Sequence, residues 1–464
     1  MEADSPLDRL AAWLLVATTV CVVLSEWTGL APFVLAEAAC AVLAILLLGR
    51  RAGRTQLIFL AIAAILIVFT LFARAEPWQL LRPALKTMSF IAAFFVATTA
   101  LRYAATSSEA IVQCGRYLAE QRPGRRYAAL TLGGHLFGLI LNYGSIALLG
   151  SLAEESSRGE PDPRLRAIRL RRMLTAIQRG FASVLAWSPL TFATAISISL
   201  IPGATWGDIA LPGFLAALII GVTGWALDTI FKPRVSGTQP ARAPSELSWK
   251  VIWPLPVLLL LLGAAVGGLH LATGVRSTAV VILVVPLIAA AWVALQNRHD
   301  HPLAAMRARG LLFVNHQLLG YRAELVILTM ASFIGVLGSG LLAPVVAHSG
   351  IDLSATPGWL LLIVLLWLVP ITGQIGMNPL LSVSLIGPLL PGAREVGLDP
   401  ADIVVALTSG WALSGASSPF TASSLVIGGF GSVSARHVGL VWNGPFTLAS
   451  GIALSAFMVL LAAL

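Results

Sequence analysis

Residues 180–191 read GFASVLAWSPLT, and residues 410–421 read GWALSGASSPFT. Each stretch is apolar and then meets Ser-Pro-x-Thr: Ser188, Pro189, Leu190 and Thr191 in one, Ser418, Pro419, Phe420 and Thr421 in the other. Proline inside an apolar run removes a backbone hydrogen bond and breaks the helix. The two stretches keep one register (419 − 189 = 230), and Gly180-Phe181-Ala182 matches Gly410-Trp411-Ala412 at the same offset.

A second pair of passages lies upstream of the first. Residues 141–150, LNYGSIALLG, match residues 377–386, MNPLLSVSLI, at a similar offset (378 − 142 = 236). An Asn hairpin followed by a Ser-Pro-x-Thr break thus occurs twice. Unpaired N–H and C=O groups at such breaks are what transporters use to hold ions and anionic groups near the bilayer midplane.

Composition places these passages in a membrane. Hydrophobic residues make up 57% of 464 and charged residues 11%, with a mean hydropathy of +0.87. A soluble protein carries roughly a quarter charged residues, so this chain could not hide its apolar surface from water. Apolar runs long enough to cross a bilayer fall at about 10–26, 31–49, 57–74, 84–103, 209–230, 251–272, 277–295, 322–346 and 438–463. Three regions, 127–153, 173–200 and 357–430, are apolar but interrupted by Asn, Ser, Pro and Gly.

The net charge of +9 comes largely from Arg in short loops. These alternate between Arg-rich and Arg-poor, the positive-inside pattern of a multi-pass inner-membrane protein rather than a nucleic-acid surface. Arg50, Arg51 and Arg54 set one loop inside, and Arg116, Arg122, Arg125 and Arg126 another. The richest cluster, from Arg158 to Arg172, stays inside only if 127–153 enters and returns as a re-entrant hairpin. Asp352, Glu395 and Asp399 against one Arg394 put the flanks of 357–392 outside, whereas Arg298, Arg307, Arg309 and Arg436 lie inside. The expectation is an all-α polytopic protein of about eleven transmembrane helices plus two re-entrant hairpins, with its N-terminus cytoplasmic and its C-terminus periplasmic. Non-helical backbone at membrane depth needs protein or a watery cavity around it, so two hairpins imply a cavity.

The organisation follows. Residues 1–30 form an extra N-terminal span, better read as retained than as a cleaved signal peptide. Repeat 1 covers 31–230, with hairpin 127–153 and broken helix 173–200. A cytoplasmic linker covers 231–250, and repeat 2 covers 251–464, with hairpin 357–392 and broken helix 401–428. Each repeat holds an odd number of spans, so the two must be inverted. Residues 106–120 set Ile111, Cys114 and Leu118 on one face, either an interfacial arm or a solvated loop helix. Cys21, Cys40 and Cys114 have no disulfide or zinc spacing.

This pattern resembles the ion transporter superfamily, most nearly the divalent anion:sodium symporter branch, with the large permease subunits of tripartite transporters as relatives. In that family each hairpin tip carries Ser-Asn-Thr. Asn142 and Asn378 fall where the family Asn stands, flanked here by Leu141 and Tyr143 and by Met377 and Pro379. The resemblance implies sodium and carboxylate binding at the tips, an elevator motion against a scaffold, and a homodimer.

The binding residues expected from the four passages are Asn142, Tyr143, Gly144, Ser145, Ser188, Pro189, Thr191, Gln374, Asn378, Pro379, Gly415, Ser417, Ser418, Pro419 and Thr421. His135, two helical turns and roughly 10 Å before Asn142, is either a proton relay or a hydrogen-bonded core residue. Arg179, nine residues before Ser188, is the only nearby positive charge. Glu37 and Glu324 are the acids closest to membrane depth, and Glu324 is set near the cytoplasmic interface where Arg322 can pair with it. The expected sites hold no Asp or Glu, which favours sodium coupling or uniport over proton coupling.

The expected function is secondary transport of a small anionic organic solute, with sodium as a coupling ion and no other cofactor or metal. A proton-coupled exporter or a lipid or envelope-precursor carrier on the same fold is the alternative. A channel is a further class. An intramembrane metal enzyme would need His and acid ligands at helical spacing, and the His are scattered.

Overall fold

The computed structural model describes residues 5–232, 248–299, 301–348 and 355–464. Most of the expected linker (233–247) and Asp352 lie outside the described residues. The described residues run through twenty α-helices. The first ten are α1 (Pro6–Thr28), α2 (Ala31–Gly49), α3 (Arg54–Ala73), α4 (Trp78–Thr106), α5 (Glu109–Ala119), α6 (Pro123–Leu141), α7 (Tyr143–Arg158), α8 (Pro163–Val184), α9 (Phe192–Leu200) and α10 (Trp206–Ile230). They continue as α11 (Pro254–Thr273), α12 (Ser277–Gln296), α13 (Pro302–Leu312), α14 (Leu318–Gly320), α15 (Arg322–His348), α16 (Gly358–Gln374), α17 (Pro379–Ile386), α18 (Pro400–Ser417), α19 (Ala422–Gly431) and α20 (Gly444–Leu461).

Among the described residues, nine helices are long and apolar enough to cross a membrane: α1–α4, α10, α11 with the turn before it, α12, α15 and α20. The chain is an all-α multi-pass membrane protein. Much of its outer surface is Leu, Val, Ile and Phe, as lipid requires, including Phe72 at 89% exposed and Leu260 at 72%.

Local chemistry sets where helices start and stop. Ser5 and Asp8 form a capping box at α1, and Asp399 and Asp402 form another at α18. Asp162 before Pro163 caps α8, and Thr205 caps α10. Gly29 and Gly274 end α1 and α11 in the left-handed conformation.

The helices gather into two bundles. In one, α4 packs against α1, α2, α12 and α15, and α15 also packs against α3. Its first helices are pinned by Glu26, which binds Lys86 at 3.2 Å and Arg276 at 2.6 Å. Nearby Glu37, 1% exposed, accepts the Ser25 hydroxyl at 2.5 Å. The other bundle packs α6 along α8, α16 along α18, α10 against both broken helices, and α20 against α10, α16 and α18. The seam between the bundles is made by α4 and α15 on one side and by α6, α9 and α17 on the other. Short α5 buries Ile111, Cys114 and Leu118 against α6 and α7, so the amphipathic segment packs on the first hairpin.

Candidate functional site

Both Ser-Pro-x-Thr passages interrupt their helices, and they do so with the same hydrogen bonds. After α8 ends, Ser188 Oγ accepts the Leu190 N–H at 3.2 Å, and the Thr191 hydroxyl donates to the Ser188 carbonyl at 2.9 Å. After α18 ends, Ser418 Oγ accepts the Phe420 N–H at 3.2 Å, and Thr421 donates to the Ser418 carbonyl at 2.9 Å.

The carbonyls freed by each break find donors on the other broken helix. Thr408 Oγ1 on α18 donates to Ala186 O at 2.9 Å. Gln178 Nε2 on α8 donates to Ala416 O at 3.4 Å and to Ser424 Oγ at 3.2 Å. Gln178 and Thr408, like Ala186 and Ala416, are separated by the repeat offset of 230. The bracing is therefore reciprocal. Each broken helix also presses onto the first arm of its hairpin at a glycine. A Cβ on Gly180 would run into the Thr131 carbonyl, and one on Gly410 would lie 2.5 Å from the Leu366 carbonyl.

The two hairpin tips differ. Between α6 and α7 the turn is Asn142 alone, at φ 50° and ψ −132°, a conformation strained for any residue with a Cβ. Its carbonyl accepts both the N–H and the hydroxyl of Ser145, while its Oδ1 is buried and has no partner among the described residues. An orphaned buried acceptor on a strained residue is a mark of a working site. At the second tip Gly376 takes φ 89°, Asn378 has an ordinary extended backbone, and its Oδ1 caps α17 by accepting the Leu380 N–H at 2.9 Å. Gln374 reaches Ser417 Oγ at 3.4 Å, and Ser418 Oγ donates to Gly373 O at 2.6 Å. These two bonds join the second tip to the second break.

Both tips and the second break open onto one cavity of about 580 Å³ at the seam. Of the expected binding residues, Asn142, Tyr143, Asn378, Pro379, Gly415, Ser418 and Thr421 line it. Five aromatic rings also line it, from Phe59, Tyr143, Phe192, Trp411 and Phe420. Gly144, Ser145, Ser188, Pro189, Thr191, Gln374, Ser417 and Pro419 stand behind the wall, in the bonds and turns that shape it.

Two charged residues change the expected chemistry. Glu324 lines the cavity wall beside Asn142 and Tyr143 and forms no ion pair with Arg322. The expectation of a site without acids therefore does not hold. α15 starts at Arg322, and one-half turn on, Glu324 faces the seam. The charge that bears on Glu324 is Arg102 of α4, which shares a small chamber with it, Asn142 and Tyr143. The Arg102 guanidinium stacks 4.9 Å from the Tyr321 ring centroid. Sequence patterning passed over Arg102 because an Arg in the last turns of a span reads as an interfacial anchor.

Arg179, by contrast, is committed elsewhere. It bonds Asn443 Oδ1 at 2.9 Å, Tyr127 OH at 2.9 Å and Trp442 O at 3.1 Å, and Asn443 in turn donates to Gln178 Oε1 at 2.9 Å. His135 lies outside the cavity. Its Nε2 accepts the Trp187 indole N–H at 3.3 Å, and its Nδ1 lies 2.7 Å from Ser183 Oγ, which donates to Gly180 O. Both ring nitrogens are thus used by the fold. Among the described residues no group of His, Cys, Asp or Glu could hold a metal ion.

No family model and no curated protein matches the sequence. Solved structures do match the fold. The YdaH transporter of Alcanivorax borkumensis superposes with a TM-score of 0.52 at 15% identity, covering 88% of this chain and 99% of that one. MtrF of Neisseria gonorrhoeae, described within a class of antimetabolite efflux pumps, superposes with a TM-score of 0.51 at 14% identity. That match covers 89% of this chain and 96% of MtrF. At these identities the likeness is one of fold. Neither protein is described as a divalent anion:sodium symporter, so the narrower resemblance is not singled out.

Proposed function

We propose that the chain is a secondary active transporter carrying a small organic anion through the seam cavity. The observation that carries this reading is the convergence of two hairpin tips and a helix break on one cavity between two bundles. Unsatisfied backbone and side-chain groups at such breaks bind solutes at membrane depth in carriers. The substrate's anionic group would meet Arg102 and the Asn142 amide, and its apolar body would lie among Phe192, Trp411 and Phe420. Asn378, Ser418 and Thr421 hold the facing wall in shape.

The reciprocal bonds between the broken helices support two inverted repeats, with 127–153 and 357–392 as re-entrant hairpins. The bundle containing α6–α10 and α16–α20 is then the moving part of an elevator, and the α1–α4, α12 and α15 bundle is its scaffold. A homodimer in the bacterial inner membrane, N-terminus cytoplasmic, completes the reading.

For coupling, a specific observation favours protons over sodium. Glu324 is a half-buried carboxyl on the cavity wall beside a guanidinium, the arrangement from which intramembrane proton exchange is built. Export of an antimetabolite-like organic anion, after the class in which MtrF is described, fits a cavity lined by five aromatic rings.

The test is uptake and counterflow in proteoliposomes with a panel of aromatic and aliphatic carboxylates, under imposed proton or sodium gradients. Saturable counterflow of at least one organic anion, driven by a proton gradient, is the expected outcome. Absence of any saturable flux across the panel would remove the transporter reading. Flux that follows sodium and ignores protons would restore sodium as the coupling ion.

A further inference from the structure

A second cavity, of about 340 Å³, lies away from the seam, between α8, the end of α10 and the turn leading into α20. Three guanidiniums line it, those of Arg171, Arg172 and Arg179, against one carboxylate, Asp228, leaving a net charge of +2 (3 − 1). Arg172 holds Asp228 in a two-pronged pair, Nε to Oδ1 at 2.8 Å and Nη2 to Oδ2 at 2.7 Å. Arg179 is buried and fully engaged with Tyr127, Asn443 and Trp442. Arg171 differs from both. Among the described residues its guanidinium has no carboxylate and no hydrogen bond, only the Trp442 ring with its centroid 5.8 Å away. Fixed, partnered Arg side chains thus form the walls, and one uncommitted Arg stands at the mouth. The rim is apolar and faces outward: Phe231 is 73% exposed and Val441 53%.

We propose that this chamber binds a phosphate-bearing anion, and that its natural source is the headgroup of an anionic phospholipid. Charges that only set membrane orientation need no concave site, whereas here they converge on one. Guanidinium is the side chain best matched to phosphate oxygens, because its planar donors bind them in pairs. A basic pocket between helices with apolar side chains at its lip takes the headgroup inside and leaves the acyl chains along Phe231 and Val441. The Arg-rich start of α8 puts the chamber at the cytoplasmic leaflet, where anionic lipids gather. Arg179 leads from this chamber through Asn443 to Gln178 and so to the second helix break, without sharing a lining residue with the seam cavity.

The experiment uses the purified full chain in a neutral detergent, followed by its melting midpoint. Short-chain phosphatidylglycerol, short-chain phosphatidylcholine and inorganic phosphate are titrated separately. The expected result is a saturable rise with phosphatidylglycerol and none with phosphatidylcholine. Arg171→Gln should weaken the phosphatidylglycerol response about fivefold, the worth of one Arg at an anionic surface, and Arg171→Lys should retain most of it. Phe231→Ser, which removes rim but no charge, should weaken the lipid response alone. A saturable response to inorganic phosphate equal to that of the lipid, lost in Arg171→Gln, would support the phosphate chemistry and assign its source to soluble phosphate. No saturable response to either, or equal responses in wild type and Arg171→Gln, overturns the proposal.

Discussion

Gln178 and Thr408 each reach across to the broken helix that carries the other. Gln178 donates to Ala416 O in α18's last turn, and Thr408 donates to Ala186 O just past α8. Both side chains are fully buried, so removing either donor strands a carbonyl that water cannot reach. Thr408→Val keeps the shape and loses the hydroxyl. It should cost about 1–3 kcal/mol, read as a lowered melting midpoint of the detergent-solubilised protein. A midpoint equal to wild type would show that the bracing is dispensable.

The two tip asparagines should respond in opposite ways. Asn142 holds a positive φ with an orphaned Oδ1, so Asn142→Gly should raise stability by about 1 kcal/mol, the strain it relieves. The same change should weaken transport roughly tenfold, the usual worth of one hydrogen bond to a charged group. Asn378→Ala should lower stability by about 1 kcal/mol through loss of the α17 cap, and Asn378→Asp should restore it. Melting curves paired with counterflow rates check both. A stability loss in Asn142→Gly would contradict the strain assigned to that turn.

Gly144 leaves room for Arg102. The Arg102 Nε lies 2.9 Å from the position a Cβ on residue 144 would take. Gly144→Ala should therefore shift the guanidinium and raise the apparent Km for the anion as Arg102→Gln does, with the double variant no worse than either alone. Additive losses in the double variant would mean that Gly144 acts through packing of α7 instead.

Glu324→Gln separates binding from coupling. Proton-driven net flux should fall about 100-fold or more, within the range of a lost acid–base group, while counterflow exchange persists. Loss of both together would assign Glu324 to substrate binding.

Burial pushes the Cys114 thiol up to about 12, and its side chain is 1% exposed on α5 against the first hairpin. The nucleophilic form is the thiolate, so Cys114 should resist maleimide from pH 6 to 9, reacting only where α5 has left the hairpin. Mass spectrometry after labelling in native and denaturing detergent reads this directly. Rapid native labelling at pH 7 would show that α5 detaches.

The apolar runs were legible because membrane thickness dictates their length, and the nine long helices lie where hydropathy marks them. The Ser-Pro-x-Thr passages stood out because proline acts on the backbone locally. What sequence could not supply was direction. Whether Glu324 faces Arg322 or the seam depends on how α15 rotates against α4, and no periodicity encodes that. Nor could two asparagines in matched passages be told apart. The difference is the backbone angle at Asn142, which follows from a turn one residue long. Arg179 looked available from its spacing, yet Asn443, Tyr127 and Trp442 arrive from distant parts of the chain to occupy it.

The walls of the seam cavity belong to different bodies: Glu324 and Phe59 to one bundle, Asn142, Asn378 and Trp411 to the other. Any molecule that fills the cavity is therefore an adhesive between the two. On the elevator motion proposed above, a true cargo must hold both walls only loosely enough for them to slip past each other. A rigid ligand that satisfies Asn142 Oδ1 and Glu324 together would weld the bundles at one point of their travel, and the tightest binders of this protein should be its brakes rather than its passengers.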